Sequence, residues 1–269
     1  MKLAITSIQR NRGKWIVEWL AFHMLVGFEH FYLYAHKTDD GMTETLIKLG
    51  RRYDIKVHLL NEQPQPQLLA YQHAYNAYGH VVDWMAFIDG DEFLHPTACG
   101  QMQQALVAFD AAPLSALAVN WRCYGSSGHV QDPDGLIMQA YPRHSRTDFL
   151  PNRHLKSIVR GRQQMQVRGA HVFDTALGTF DTQSRPVSQG WMRDNPPNFD
   201  ALRINHYAVQ SFDFFRQTKQ CIGAADGNPN LMRPETWFHE YDRNEEDDGQ
   251  SYQFLVRLKL KTQELLDSL

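Results

Sequence analysis

The chain has 269 residues, 43% of them hydrophobic and 21% charged. That is enough to bury a substantial core, and it excludes a disulfide mini-protein or wholesale disorder. The formal net charge of −3 excludes a nucleic-acid binder that relies on a bulk positive field. Cys99, Cys123 and Cys221 show no paired spacing, so neither a zinc ribbon nor a disulfide framework is expected, and a reducing compartment is.

Leu3 to Ile8 predicts a buried strand. It is too short for a signal peptide and is cut off by Gln9-Arg10-Asn11-Arg12. Trp15, Ile16, Trp19, Leu20, His23 and Met24 then recur at helical spacing, and Gly27 closes that segment. His30 to Tyr34 is strand-like, Thr38 to Gly41 is a turn, and Thr45, Leu46 and Leu49 belong to a second helix. Lys56 to Leu60 predicts a third strand, Leu68 to Tyr78 a helix, and Trp84 to Asp89 a fourth strand. This rhythm is that of βα repeats feeding a parallel, doubly wound sheet. No stretch approaches the roughly 18 apolar residues of a membrane-spanning helix.

The second half is less regular. Leu117 to Tyr124 predicts a strand running into Gly125-Ser126-Ser127-Gly128. Residues 143–168 are rich in base, from Arg143 to Arg168, and residues 174–200 are loop-like. Leu202 to Val209 predicts a strand and Phe212 to Ile222 a helix. The acids Glu245 to Asp248 predict the solvated start of a final helix. No linker divides the chain, so one domain over 1–269 is expected.

Ligands in open α/β sheets sit at the carboxyl ends of the strands. Here those ends are Gln9-Arg10-Asn11, Ala35 to Asp40, Asn61-Glu62 and Asp89-Gly90-Asp91. The last is the informative one. Residues i and i+2 of an extended chain point the same way, so Asp89 and Asp91 are expected to aim at one point. Gly90 permits close approach and unusual dihedrals. Two adjacent carboxylates repel, and Mg²⁺ or Mn²⁺ is their natural partner, with coordination shared by substrate phosphates. The spacing is not that of an EF-hand loop.

These segments resemble the nucleotide-sugar glycosyltransferases of the GT-A fold, and most closely a family 2-like and family 92-like group. The resemblance rests on Arg10-Asn11 with Trp15 to His23 and Gly27-Phe28, on Phe31 to Asp40, and on Trp84 to Leu94. It continues through Trp121 with Tyr124 to His129, Lys156 to Arg160, and Asn205-His206-Tyr207 with Ser211 and Lys219. Arg12 departs from the pattern, since that group carries an acid after the asparagine.

The resemblance implies an α/β fold with a mostly parallel, Rossmann-like sheet, helices on both faces and a less regular acceptor side. It divides the chain into a nucleotide-sugar half (1–112), an acceptor half (113–222) and a C-terminal helical extension (223–269). It implies metal-dependent transfer, with inversion, from a nucleotide diphosphate sugar, expected to be a UDP-sugar, to a glycan or lipid-linked hydroxyl. The expected setting is cytoplasmic surface-polysaccharide synthesis, with loose association at the inner membrane face.

Asp89 and Asp91 would hold Mn²⁺ or Mg²⁺ against the diphosphate, with His206 as third ligand and His171 competing for that place. Gln9, Arg10, Asn11, Asp40, Gly90 and Lys156 are expected around the donor. Trp121, Trp191 and Trp237 are candidates for sugar stacking. The general base stays open among Asp148, Asp174, Asp181, Asp226 and His129, with Asp174 and Asp181 in the segment expected to border the acceptor. Two other readings are a non-catalytic carbohydrate-binding protein on a degenerate GT-A fold and a sugar nucleotidyltransferase. Gln9 to Lys14 is basic but contains a single glycine, which weighs against the latter.

Overall fold

Residue alternation along the central strands sorts the core into two faces. The computed structural model describes residues 1–61, 64–221, 232–249 and 251–269. Its first half is β1 (Leu3–Gln9), α1 (Ile16–Leu25), β2 (His30–Ala35), α2 (Met42–Leu49), β3 (Ile55–Leu59), α3 (Pro66–Tyr78) and β4 (Trp84–Phe87). Leu3, Ile5, Phe31, Leu33, Trp84 and Ala86 face α1 and α2, while Ala4, Ile8, Tyr32, Tyr34, Met85 and Phe87 face α3. Strands buried on both sides read as continuous apolar runs, as expected of a parallel sheet with helices on both faces.

The second half is β5 (Glu92–Pro96), α4 (Met102–Val107), β6 (Ala116–Cys123), α5 (Ile137–Ala140), β7 (Arg143–His144) and β8 (Leu155–Arg160). There follow β9 (Met165–Val167), β10 (Phe173–Thr175), β11 (Thr179–Asp181), β12 (Pro186–Val187), β13 (Leu202–His206), α6 (Phe212–Gln217), α7 (Glu235–Tyr241), β14 (Glu246–Asp247) and α8 (Tyr252–Leu266). The main sheet runs β12-β11-β6-β8-β4-β1-β2-β3, with β13 pairing both β5 and β6. β4, β1, β2 and β3 are parallel neighbours. β8 lies antiparallel between β4 and β6, so the sheet is mixed. An apolar strand carries no signal of its partner's direction, and this insertion is settled by the long 124–154 excursion that brings β8 back.

Two expectations fail at the C-terminal side. The acids Glu245 to Asp248 do not open a helix. Glu246 and Asp247 form β14 on β7, Glu246 meets Arg122 at 3.4 Å, and Arg203 pairs with the buried side chain of Asp248. The acids answer cations on β6 and β13, which lie far away in sequence. The helix expected to Ile222 ends at Gln217, where the Thr218 hydroxyl donates back to the Phe214 carbonyl at 2.7 Å; Ile222 lies outside the described residues. Gly125 to Gly128 is held by the same C-terminal segment, with Asp242 accepting from Ser126 N–H at 2.6 Å and Asn244 from Ser127 N–H at 2.7 Å. Among the described residues no helix is long and apolar enough to cross a membrane.

Candidate active site

β4 delivers Asp89-Gly90-Asp91 to the carboxyl end of the parallel strands, and the neighbours of that turn are set by strand pairing. The β13–β5 register opposes His206 to Glu92, and Tyr207 N–H donates to the Asp91 carbonyl at 2.9 Å. His206 is thereby placed beside Asp91 although 115 residues separate them in sequence (206 − 91). The turn opens into a cavity of about 360 Å³. Its wall includes Gln9, Arg10, Arg12, Gln67, Asp89, Asp91, Lys156, His171, His206 and Lys219.

The two carboxylates share this cavity but have separate cations. Asp89 Oδ2 lies 2.9 Å from Lys156 Nζ. Its Oδ1 accepts from Gln67 Nε2 at 2.6 Å and from the Tyr71 hydroxyl at 3.3 Å. Asp91 Oδ2 lies 2.6 Å from Lys219 Nζ and 3.2 Å from the Arg12 guanidinium. Arg12 is held over the rings of Phe214 and Trp15, at 5.0 and 5.8 Å.

These neighbours set the protonation states. Burial raises the Asp89 carboxyl, but Lys156 outweighs it and leaves Asp89 below the usual range. Asp91 is also held low: burial opposes ionisation, and Lys219, Arg12 and His206 overcome it. Glu92 is pushed well up by burial, with Lys156 opposing and the charge of Asp89 adding. It is neutral, and its Oε2 accepts from Asp89 N–H at 2.8 Å. Burial lowers Lys156, but the Asp89 carboxylate outweighs it, so it stays charged. Burial drops His206 to about 3, so its ring is neutral.

Gly90 is closely approached by a neighbouring side chain. Its φ is not positive. A Cβ there would stand 2.8 Å from Cδ and Oε1 of Gln9, so the close approach is made by Gln9. Asn11 and Asp40 hold loops rather than line the cavity. Asn11, at φ 50°, accepts from Asp39 N–H at 3.0 Å. Asp40 accepts from Gly13 N–H at 2.6 Å and Met42 N–H at 3.1 Å.

The structure does not bring the expected base candidates to the cavity. Asp174 pairs with Arg168 at 2.6 Å on the β9–β10 hairpin, with 61% of its side chain exposed. Asp181 closes its own turn, accepting from the N–H groups of Gln183 and Arg185 at 2.9 Å each. Asp148 faces solvent beside Arg146, and a His129 ring nitrogen lies 3.1 Å from the Ala140 carbonyl. Asp226 and Glu62 lie outside the described residues. The basic stretch also disperses: Arg160 donates to backbone carbonyls near Phe109, and Arg162 pairs with Asp83. Lys156 is the member that lines the cavity.

Gln67, Tyr71 and Glu92 are functional neighbours that sequence reasoning missed. Gln67 and Tyr71 stand four apart at the start of α3, which puts them on one helical face, and that polar pair was the available signal. Of the tryptophans, Trp121 packs against His206 with ring centroids 4.0 Å apart and the planes tilted by 41°. Trp237 also lines the cavity, and Trp191 lies against His154 at 6.0 Å.

A divalent cation can be tested against these donors. Among the described residues no group of three or more His, Cys, Asp or Glu is arranged to hold one. Both Asp89 oxygens are taken. Asp91 Oδ1 and His206 Nε2 are 3.8 Å apart, and His206 Nδ1 is buried without a partner, so no hydrogen bond to that nitrogen fixes the tautomer. One carboxylate oxygen and one neutral imidazole fit an ion that takes its remaining ligands from phosphate and water.

The family model described as glycosyltransferase family 92 matches residues 4–194. A glycosyltransferase family 92 protein of Oryza sativa subsp. japonica is 24% identical over 257 residues, covering 87% of this chain and 41% of that protein. One from Ricinus communis is 24% identical over 261 residues, covering 88% of this chain and 44% of that protein. The chain thus spans about two-fifths of the length of these curated relatives. Among solved structures, S. aureus TarS 1–349 in complex with UDP is similar at a TM-score of 0.37 and 18% identity, over 60% of this chain and 47% of that one.

Proposed function

The chain belongs to glycosyltransferase family 92, and from that premise we propose that it transfers a sugar from a nucleoside diphosphate sugar, with UDP-sugars the first donors to try, to a hydroxyl of a glycan or lipid-linked acceptor. The observation that carries the reading is the convergence of Asp91, His206, Arg12 and Lys219 on one cavity at the carboxyl ends of the parallel strands.

The chemistry follows from charge. In an inverting transfer, the acceptor oxygen forms a bond to the anomeric carbon as the bond from that carbon to the β-phosphate oxygen breaks. The departing oxygen takes the electron pair, and fixed positive charge beside it lowers the barrier. Arg12 and Lys219 supply such charge directly, and Asp91 holds both in place. A Mn²⁺ or Mg²⁺ ion, held by Asp91 Oδ1 and His206 Nε2, would act as a Lewis acid on the diphosphate. Asp89 and the buried Lys156 form a net-neutral pair in the wall of the cavity. The acceptor class, a cytoplasmic role in surface-glycan synthesis and peripheral membrane association belong to the same proposal.

Calorimetry with UDP, with and without Mn²⁺, tests it. UDP binding that tightens with Mn²⁺ is expected. Asp91→Ala should remove that tightening and the hydrolysis of any accepted UDP-sugar, while far-UV dichroism stays that of the parent. No binding of UDP or of any other nucleoside diphosphate, in either condition, would sink the reading.

A further inference from the structure

Among the described residues, Asp148, Asp174, Asp181 and His129 lie away from the cavity, which directs the search for the group that receives the acceptor's proton to the cavity wall. We propose that His171 is that residue, with Nε2 as the accepting atom. The inference rests on the reading of the cavity as a donor site.

Three successive residues of β8 hold this residue, one at its ring and two at the backbone. The Leu155 carbonyl lies 2.6 Å from His171 Nδ1. The Lys156 ammonium bridges Asp89 Oδ2, at 2.9 Å, and the Ala170 carbonyl, at 3.4 Å. The Ser157 hydroxyl donates to the His171 carbonyl at 2.6 Å. His171 is thus tied through Lys156 to the Asp89 end of the turn.

The tautomer follows from the first contact. A backbone carbonyl only accepts, so Nδ1 carries the hydrogen and Nε2 keeps the lone pair of the neutral ring. A base that takes a proton from a hydroxyl needs that arrangement, with a second group orienting the ring. The third wall is Gly190, where a Cβ would stand 2.6 Å from His171 Cβ and 2.9 Å from Cγ. Only a residue without a side chain leaves the ring its place. The neighbouring imidazole, His154, is packed against the rings of Trp121 and Trp191, at 4.8 and 6.0 Å.

The charged and titratable groups around His171 are Lys156, Asp89 and His154. Burial, then the Lys156 charge, lower its pKa to about 4, so the free lone pair is present at neutral pH while the basicity of the empty site is weakened. A bound diphosphate adds negative charge, which favours the imidazolium that proton transfer creates.

In the balanced step the acceptor oxygen bonds to the anomeric carbon and its proton passes to Nε2. The bond from that carbon to the β-phosphate oxygen breaks, and its electron pair leaves on the nucleoside diphosphate. Water can replace the acceptor, which gives an assay without knowledge of the acceptor: Mn²⁺-supported hydrolysis of a panel of UDP-sugars.

The test compares the full chain with His171→Gln and His171→Gly. His171→Gln should bind UDP within about threefold of the parent yet hydrolyse the donor at least about 100-fold more slowly, the low end of what a positioned base supplies. Added imidazole should restore hydrolysis to His171→Gly, which a packing role would not allow. Hydrolysis within threefold of the parent would overturn the proposal, as would UDP affinity falling in step with the rate, or absent rescue. Failure of the parent itself to bind UDP or any other nucleoside diphosphate removes the donor-site reading and this inference with it, and is seen before any variant is made.

Discussion

Lys156 carries its ammonium in a place only 1% exposed, where a lone charge would cost several kcal/mol. It persists because Asp89 accepts the ion pair and Glu92, kept neutral by burial, adds no second charge. Removing the ammonium leaves Asp89 without its cation. Lys156→Met should therefore lower the unfolding free energy by about 1–3 kcal/mol, less than for a fully buried pair because the Asp89 side chain is 33% exposed, read by urea denaturation at pH 7. A loss below 1 kcal/mol would mean that Asp89 finds another partner. Arg12 shows the other side of residue-scale reasoning. The motif comparison marked it as a cation where an acid was expected, and the structure gives that cation a task, since it shares Asp91 Oδ2 with Lys219. What the sequence lacked was the identity of the carboxylate it meets, because 79 positions separate them (91 − 12).

The Glu18, Trp19 and His23 cluster of α1 works by holding elements together. Glu18 accepts from the N–H groups of Ile137 and Met138, at 2.7 and 3.2 Å, and so fixes the start of α5. Trp19 Nε1 donates to the Glu92 carbonyl at 2.9 Å. His23 spans α1 and β5. Its Nδ1 lies 2.8 Å from the Trp19 carbonyl, which makes it the protonated nitrogen, and its Nε2 accepts from Leu94 N–H at 3.2 Å. Helix α1 thus braces β5 immediately behind the Asp89-Gly90-Asp91 turn. Burial lowers His23 from 6.5 to about 3. The folded state needs the neutral ring, so this contribution is complete above pH 6.5 and is lost as pH falls toward 3. His23→Leu leaves Leu94 N–H buried and unpaired. It should cost about 1–3 kcal/mol at pH 7, and it should shrink the loss of stability between pH 7 and pH 5 seen in the parent. Unfolding curves at the two pH values check both, and an unchanged loss would show that the folded state does not lower the His23 pKa.

At the scale of the molecule, one apolar cluster runs from Leu3 to Leu265. It joins the first strand to the last helix. α8 lies against α1, with Phe254 at 5.7 Å from Phe22 and Leu258 fully buried. The C-terminal helix is part of the core beneath the sheet, not an appendage. Leu258→Ala should therefore cost about 2–5 kcal/mol, seen as a lower denaturation midpoint. UDP affinity should stay that of the parent, since Leu258 does not line the cavity. A variant as stable as the parent would mean that α8 contributes little to the folded state.

The amino-acid sequence determined the βα rhythm of the first half, the buried strand before Asp89, the two carboxylates in one cavity and the histidine expected near them. These follow from hydrophobic period and short-range spacing, which any local stretch of chain carries. Only the tertiary structure decided that β8 enters antiparallel, that Arg12 and Lys219 share Asp91, that Gln67 and Tyr71 hold Asp89, and that Asp174 and Asp181 turn away. Each of those outcomes is a pairing between segments far apart in the chain. Partner choice across such distances depends on which surfaces folding brings together, and no local pattern records it.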